Sequence, residues 1–466
     1  MTTSTTGRPA PYSASDKSTF AYESTVKRWP TILVQIIDDI ARTNHELHTR
    51  DATGNAHKID DGKAIIAEID SLRYEIAHDR DVPDLEPDGG ANLELYNAEL
   101  ATWRQEHEGK LTWFSGGWLL LECYMYRRIM SSLSSRAFWN DYDPFARQKV
   151  QTLKSSGSAV YTLALALSRL GKSHDEETLH ASFLELVTAC LWGNATDLSL
   201  LTNMTHEDIQ KLQSTGRDAS ADQFVLRNDL GAAWKHVKQL KHGRIDIILD
   251  NSGFELYTDL ILACWLVDSS PFARTVVFHP KMQPWFVSDV LPRDFDIIDQ
   301  LLDQTFFDKQ DNAASEEERT ALQVFANRLR ELFDSGVFQL IVPSDARLGQ
   351  AIGYQGDFWT NPMPFYRIPA VAPQLLAELQ KSDLTIWKGD LNYRRLVGDL
   401  AWPTTTSWQT ALGELAGRLD LLSLRTCKAD VVVGLEEGTQ AELDAKDPRW
   451  RISGKYAVIS FDKRTV

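Results

Sequence analysis

The apolar residues of this chain change period near residue 240, and that change limits the fold more than any other feature. Upstream they recur at helical spacing. In "TVKRWPTILVQIIDDIARTNHEL" they fall at Ile32, Leu33, Ile36, Ile37 and Ile40. Similar patterns run through "KAIIAEIDSLRYEIA", "WFSGGWLLLECYMYRRIM" and "ASFLELVTACLWGN", while "RDVPDLEPDGGAN" reads as a loop. Downstream, the short runs "IDIIL", "RTVVFH", "FQLIV", "LTIW", "ADVVV" and "YAVISF" alternate with helical stretches. Strands separated by helices build a mainly parallel sheet covered on both faces. The expected class is therefore α/β, with an N-terminal mainly helical domain over residues 19–235. A C-terminal three-layer αβα domain should occupy 236–466. Residues 1–18 are polar, lack the apolar core of a secretion signal and read as a disordered tail.

Composition narrows the partners. The net charge is −16, from 65 acidic and 49 basic residues, which argues against nucleic acid and anionic membranes. The longest apolar runs fall well short of the roughly 18 residues that cross a bilayer. Cys123, Cys190, Cys264 and Cys427 have no metal-site or redox spacing and read as buried, reduced thiols. The expected compartment is the cytoplasm, with the nucleus also compatible. Fourteen tryptophans point to large cores or aromatic-lined pockets.

Parallel sheets bind ligands beyond the carboxyl ends of their strands, so the polar residues at those ends carry the functional argument. In "IDIILDNSGFELYTDL", Asp250 and Asn251 close a strand and offer hard oxygens suited to Mg²⁺ or Mn²⁺. Gly253 permits a sharp turn into a helix whose amides face the same crevice. The same residues would also serve as an N-cap. Asp289 of "PWFVSDV" follows the next strand, where a capping or surface Asp would look alike. In "LTIWKGDLNYRRL" a strand ends at Lys388-Gly389, and Asp390, Asn392, Tyr393 and Arg394 crowd the turn. They suit hydroxyls and a phosphate, or an Asx-type turn. In "LLSLRTCKADVVV", Arg425-Thr426-Cys427-Lys428 interrupts an apolar stretch just before the expected strand "ADVVV". Two cations and a hydroxyl there suit a phosphate or a surface loop. Ser252 stands where a haloacid-dehalogenase-like phosphatase needs its second Asp, and neither Gly-rich phosphate loop is present. The His residues of "KHGR" and "FHPK" lack ligand spacing and read as structural or solvent-facing.

Taken together and in order, "LDNSGFEL", "PWFVSDV", "KGDLNYRRL" and "RTCK" resemble the damage-control phosphatase family. The match is to its sugar-phosphate subfamily, marked by an Arg-Thr-x-Lys motif. "LWGNATDLSL" and "FAYESTVKRWPTIL" are also similar to family segments, so the likeness runs from about Phe20 to the last strand. It implies a divalent ion (Mn²⁺, Co²⁺, Ni²⁺ or Mg²⁺) held by Asp250, Asn251 and Asp289, which also touch substrate. It further implies that Glu255 contacts substrate. Asp390, Leu391, Asn392, Tyr393 and Arg394 would hold the sugar phosphate, and Lys428 would bind it. Arg425, Asn194 and Asp197 are further candidates. The implied activity is hydrolysis of small sugar phosphates such as fructose 1-phosphate and fructose 6-phosphate, clearing species that would glycate proteins. Asp250 is the candidate catalytic nucleophile, with an activated water as the alternative. No oligomeric state is implied. The human member of the subfamily has also been described as an acidic-residue methyltransferase. Protein-glutamate methylation from S-adenosylmethionine is therefore the competing expectation.

Overall fold

Among the described residues (7–173, 175–193, 223–307 and 314–465 of this computed structural model), seven strands form one sheet. They are β1 (Val225–Asn228), β2 (Gly243–Ile248), β3 (Ala273–His279), β4 (Phe338–Leu340), β5 (Leu384–Lys388), β6 (Leu421–Thr426) and β7 (Ala457–Asp462). Their order is β1-β7-β6-β5-β2-β3-β4. Every pair is parallel except β6 with β7. From β2 the chain steps outward through β3 to β4, then returns to place β5 on the other side of β2. That reversal opens a crevice beyond the carboxyl ends of β2 and β5.

Neighbouring residues of β2 serve opposite faces, because side chains alternate across a strand. Ile245 and Ile247 pack with the helices Gly157–Leu170, Glu176–Trp192, Phe254–Cys264 and Glu316–Asp334. Ile248 packs with Trp387, Tyr393, Leu396 and Trp408 on the far face. Strands buried on both faces need apolar runs rather than alternation, as "IDIIL" and "LTIW" display. The result is the three-layer arrangement expected from the sequence. The Gly157–Leu170 and Glu176–Trp192 helices precede residue 235, yet they bury their apolar sides against this sheet.

The helices Trp29–Asp51, Ala56–Ala77, Leu93–Glu106 and Trp118–Ser134 build a separate core around Trp29, Trp113 and Trp118. That core takes in Trp285, Phe286, Leu391 and Ala429, which lie beyond β3, β5 and β6. The helical region therefore sits over the carboxyl ends of the strands.

Three local expectations change. "ADVVV" forms no strand; the preceding "LLSLRT" does. Val431 to Val433 satisfy their backbone with side chains instead, since the Val431 carbonyl accepts from Arg425 Nη1 and Val433 N donates to Tyr393 Oη. The Arg-Thr-Cys-Lys segment therefore closes a strand rather than opening one. β1 carries no strand signal in the sequence. Residues 7–18, expected to be loose, are tied down: Tyr12 N donates to Asp399 O (3.2 Å) and Trp118 N to Tyr12 O (2.8 Å). Arg8 stacks on Tyr366, 3.7 Å from the ring centre.

Buried charge joins the helical region to the sheet. Glu122, fully buried, accepts from Arg28 (3.0 Å), Trp29 Nε1 (3.1 Å) and Arg394 (2.9 Å), and Arg394 also grips Asp399. Removing one member of such a cluster leaves an uncompensated buried charge. Glu122→Ala is expected to cost about 3–5 kcal/mol, read as a lower denaturant midpoint.

Candidate active site

The crevice is built by a close approach of two backbones. β2 and β5 pair in register up to Ile248 and Trp387, so Asp250 and Gly389 emerge side by side. Gly389 has φ +81°, and a Cβ added there would overlap the Asp250 carboxylate. Gly253, at φ +71°, turns the chain into the Phe254–Cys264 helix, in which every residue is buried. Asn392 fastens the two strand ends, its Nδ2 donating to Leu249 O (3.0 Å) and Lys388 O (2.7 Å).

The third wall follows β3. Asn251 and Asp289 form an isolated antiparallel bridge, with Ser252 N donating to Ser288 O (2.7 Å) and Val290 N to Asp250 O (2.8 Å). Phe286 and Val287 have φ +43° and +70°. A β-branched residue there costs on the order of 1–3 kcal/mol, so the surroundings must hold it. Phe286 does so by stacking on Tyr126, 4.9 Å away, from the helical region. The strained turn aims Ser288 and Asp289 at Asn251, and Ser288 Oγ donates to Asn251 Oδ1.

Charge is dense and almost dry here. Asn251 Nδ2 donates to Asp250 Oδ2 (2.5 Å) and Glu255 Oε2 (2.9 Å). Lys388 Nζ lies 3.0 Å from Glu255 Oε1 and 2.6 Å from Asp259 Oδ1. Lys281 Nζ donates to Leu249 O (2.9 Å) and Asn392 Oδ1 (3.3 Å), and stands 3.8 Å from Asp289 Oδ2. Burial, with Glu255 and Asp289 adding to it, pushes the Asp250 carboxyl well above the usual range, while Lys281 and Lys428 pull the other way. Burial pushes Asp289 up to about 7 against the pull of Lys281 and Lys149. Desolvation lowers the Lys281 ammonium. Two close carboxylates losing hydration in this way favour binding a cation or a proton.

A second group sits beside the first. Asp390 Oδ1 accepts from Arg425 Nε (2.8 Å) and Lys428 N (3.0 Å). Arg425 is fully buried and also donates to the Val431 and Ala429 carbonyls. Lys428 is half-buried. Other expected contacts are already committed to the fold. Leu391 lies in the helical core, Tyr393 stacks on Trp408, and Arg394 is paired with Glu122 and Asp399 over the Trp118 ring. Asn194 and Asp197 lie outside the described residues.

The family description "Damage-control phosphatase ARMT1-like domain" matches residues 24–443. The chain belongs to the damage-control phosphatase family. It is 34% identical to the mouse (Mus musculus) damage-control phosphatase ARMT1 over 97% of this chain and 98% of that one. The zebrafish (Danio rerio) protein of the same name is 34% identical over 97% of each chain, and the human protein 32% identical over 97% and 98%. A solved DUF89 family protein from Pyrococcus horikoshii is 15% identical over 80% of this chain and 90% of that one, with a TM-score of 0.36. Among the described residues no helix is long and apolar enough to cross a membrane.

Damage-control phosphatases generally work with a metal ion. The carboxylate oxygens of Asp250 and Asp289 fit a hard divalent cation, and Asp289 Oδ2 is a buried oxygen with no hydrogen-bond partner. Asn251, the third residue of the implied set, turns its nitrogen toward the carboxylates and its Oδ1 to Ser288, so in this arrangement it orients Asp250. Among the described residues no cluster of three or more His, Cys, Asp or Glu is arranged for a metal. The methyltransferase alternative is not favoured: the family match and the curated relatives are damage-control phosphatases, and Gly253 is the only glycine in the turn after β2.

Sequence reading passes over Lys281 and Lys388 as site residues. Each stands at a strand's carboxyl end, Lys388 closing β5 and Lys281 two residues past β3, and that position is the available signal. His279 is structural, buried and bonded to Asp246 (2.9 Å). The Gly389 contact is testable by stability. Gly389→Ala should lose clearly more than Gly336→Ala, where φ is +74° but a Cβ meets nothing within 4 Å. Adding Asp250→Ala should recover only part of the difference in a thermal melt, because the Cβ at 250 would still stand 2.6 Å from the added one.

Proposed function

We propose that this chain is a metal-dependent phosphatase of small phosphorylated sugars, with fructose 1-phosphate and fructose 6-phosphate as its first candidate substrates. The observation that carries the reading is the switch-point crevice, where the carboxylates of Asp250 and Asp289 and the Asn251 amide come together beside Lys281 and Lys428. A phosphate dianion is repelled by a chain of net charge −16 unless positive charge is concentrated locally. A divalent ion (Mn²⁺, Co²⁺, Ni²⁺ or Mg²⁺) held by those carboxylates would supply such charge and polarise the phosphoryl group.

The chain's own residues do the rest. Lys428 follows the carboxyl end of β6, with its backbone held by Asp390, and offers a cation to the phosphate. Arg394 is locked by two carboxylates, so its part is to hold the Gly389–Val397 helix rather than to reach for an anion. Asp250 stands at the centre, pressed against Gly389, and is the group for in-line attack on phosphorus. Glu255, one turn away, accepts sugar hydroxyls. The sugar-phosphate assignment is supported by the Arg-Thr-x-Lys motif at Arg425–Lys428.

Metal-stripped protein should release no phosphate from fructose 1-phosphate, and adding Mn²⁺ should restore release. Asp250→Ala, with its fold confirmed by circular dichroism, should fall at least about 1,000-fold. Turnover by that variant at the wild-type rate would reject the assignment of Asp250. Absence of release across all four ions and both substrates would reject the sugar-phosphate reading.

A further inference from the structure

Glu255 presents a problem that the phosphatase reading leaves open. It is a third carboxylate beside Asp250 and Asp289, it is buried, and its charge opposes an incoming phosphate. A long acidic side chain with no fixed partner would also sample several rotamers and blur the geometry around Asn251. Both difficulties are met by one residue. Lys388 Nζ takes Glu255 Oε1 at 3.0 Å, which leaves Glu255 Oε2 to accept from Asn251 Nδ2 at 2.9 Å. Asn251 shares the same nitrogen with Asp250 Oδ2. On its other side Lys388 is anchored by Asp259, one helical turn beyond Glu255, at 2.6 Å. Lys388, Glu255 and Asp259 are each at least 96% buried, so water competes little for these contacts.

We propose that Lys388 is a positioning residue for the active site, acting through Glu255 to set the side chain of Asn251 beside Asp250. The relay runs Asp259, Lys388, Glu255, Asn251, Asp250, and every link is a hydrogen bond or ion pair. Lys388 does not touch the reacting atoms. Its ammonium cancels the Glu255 charge and fixes which carboxylate oxygen faces the crevice. The place of Lys388 in the chain explains why it can do so. It is the last residue of β5, directly before Gly389, and its carbonyl is held by Asn392. The strand that brings Gly389 against Asp250 therefore also delivers the ammonium to Glu255. Asp259 is the counterweight that keeps the ammonium at that depth.

The inference rests on the reading of Asp250 and Asp289 as the ion-binding carboxylates, with Asn251 orienting Asp250 through Nδ2, and its test uses a binding readout apart from turnover. Removing Lys388 alone would strand two buried carboxylates, so the informative variant is Lys388→Met/Asp259→Asn. That variant removes one positive and one negative charge and leaves the net charge of the cluster unchanged. Asp259→Asn is its reference, and Mn²⁺ affinity by calorimetry is measured beside kcat and KM for fructose 1-phosphate.

Relative to the reference, the double variant should lose about 10–100-fold in Mn²⁺ affinity and in kcat/KM, the range seen when a partner that orients a ligand is removed. Adding Glu255→Gln to it should cost little more, because Lys388 acts only through Glu255. Glu255→Gln by itself, which leaves Lys388 paired to Asp259, should show a comparable loss of Mn²⁺ affinity.

Wild-type-like Mn²⁺ affinity in Glu255→Gln would overturn the relay, whatever the folding of the Lys388 variants. So would losses that simply multiply between the Lys388 and Glu255 changes. A wild-type protein that binds Mn²⁺ but hydrolyses no sugar phosphate would defeat the substrate reading alone, and the affinities would still decide the role of Lys388.

Discussion

The structure depends on one close approach: the end of β5 passes so near the end of β2 that only glycine fits between Gly389 and the Asp250 carboxylate. Parallel pairing fixes the two strand ends at one level, and the reversal of strand order leaves no connecting loop above them. A side chain at 389 would have to displace the acid at the centre of the site. Asn392 then ties both ends together from the first turn of the following helix. Asp250 is thereby held by backbone geometry rather than by a flexible loop, as suits the in-line attack proposed for it.

Burying so many carboxylates in one place is costly unless each has a partner. The site meets this with lysines drawn from the strand ends, Lys281 after β3 and Lys388 at the end of β5, while Lys428 adds positive charge after β6. The helical region contributes in the same way at greater distance. Lys149 pairs with Asp143 and Asp294, and so holds the segment that follows Asp289. Tyr126 stacks on the strained Phe286. Glu122 holds Arg394, and the chain near Tyr12 bonds to both Asp399 and Trp118 around that pair. The helices are more than a cover. They fix the loops that carry the polar residues, and a buried pair is strong only when both partners are held rigidly.

Much of this is legible in the sequence. The strands β2, β3, β5 and β7 announce themselves as short apolar runs, and the acids and amides that follow β2, β3 and β5 mark the edge where the crevice opens. The Arg-Thr-Cys-Lys segment reads as lying on the wrong side of its strand. Val431 to Val433 look more strand-like than Leu421 to Thr426, but the Arg425 and Tyr393 side chains take the Val431 carbonyl and the Val433 amide. Arg394 and Tyr393 read as ligand contacts because they stand in a polar turn. The structure pairs them with Glu122 and the Val433 amide, 272 and 40 residues away in sequence, which no local pattern reveals.

The division is physical. Periodicity, strand-end polarity and glycine placement are local properties, so the sequence by itself determined an α/β chain with a mainly parallel sheet and a polar cluster at its carboxyl edge. Which charges face each other is not local. Only the tertiary structure decided that Lys388 serves Glu255, that Arg394 serves Glu122 and Asp399, and that the tail near Tyr12 is pinned down. A buried charge must take whichever partner the packing brings within reach, and packing is set by the whole chain at once.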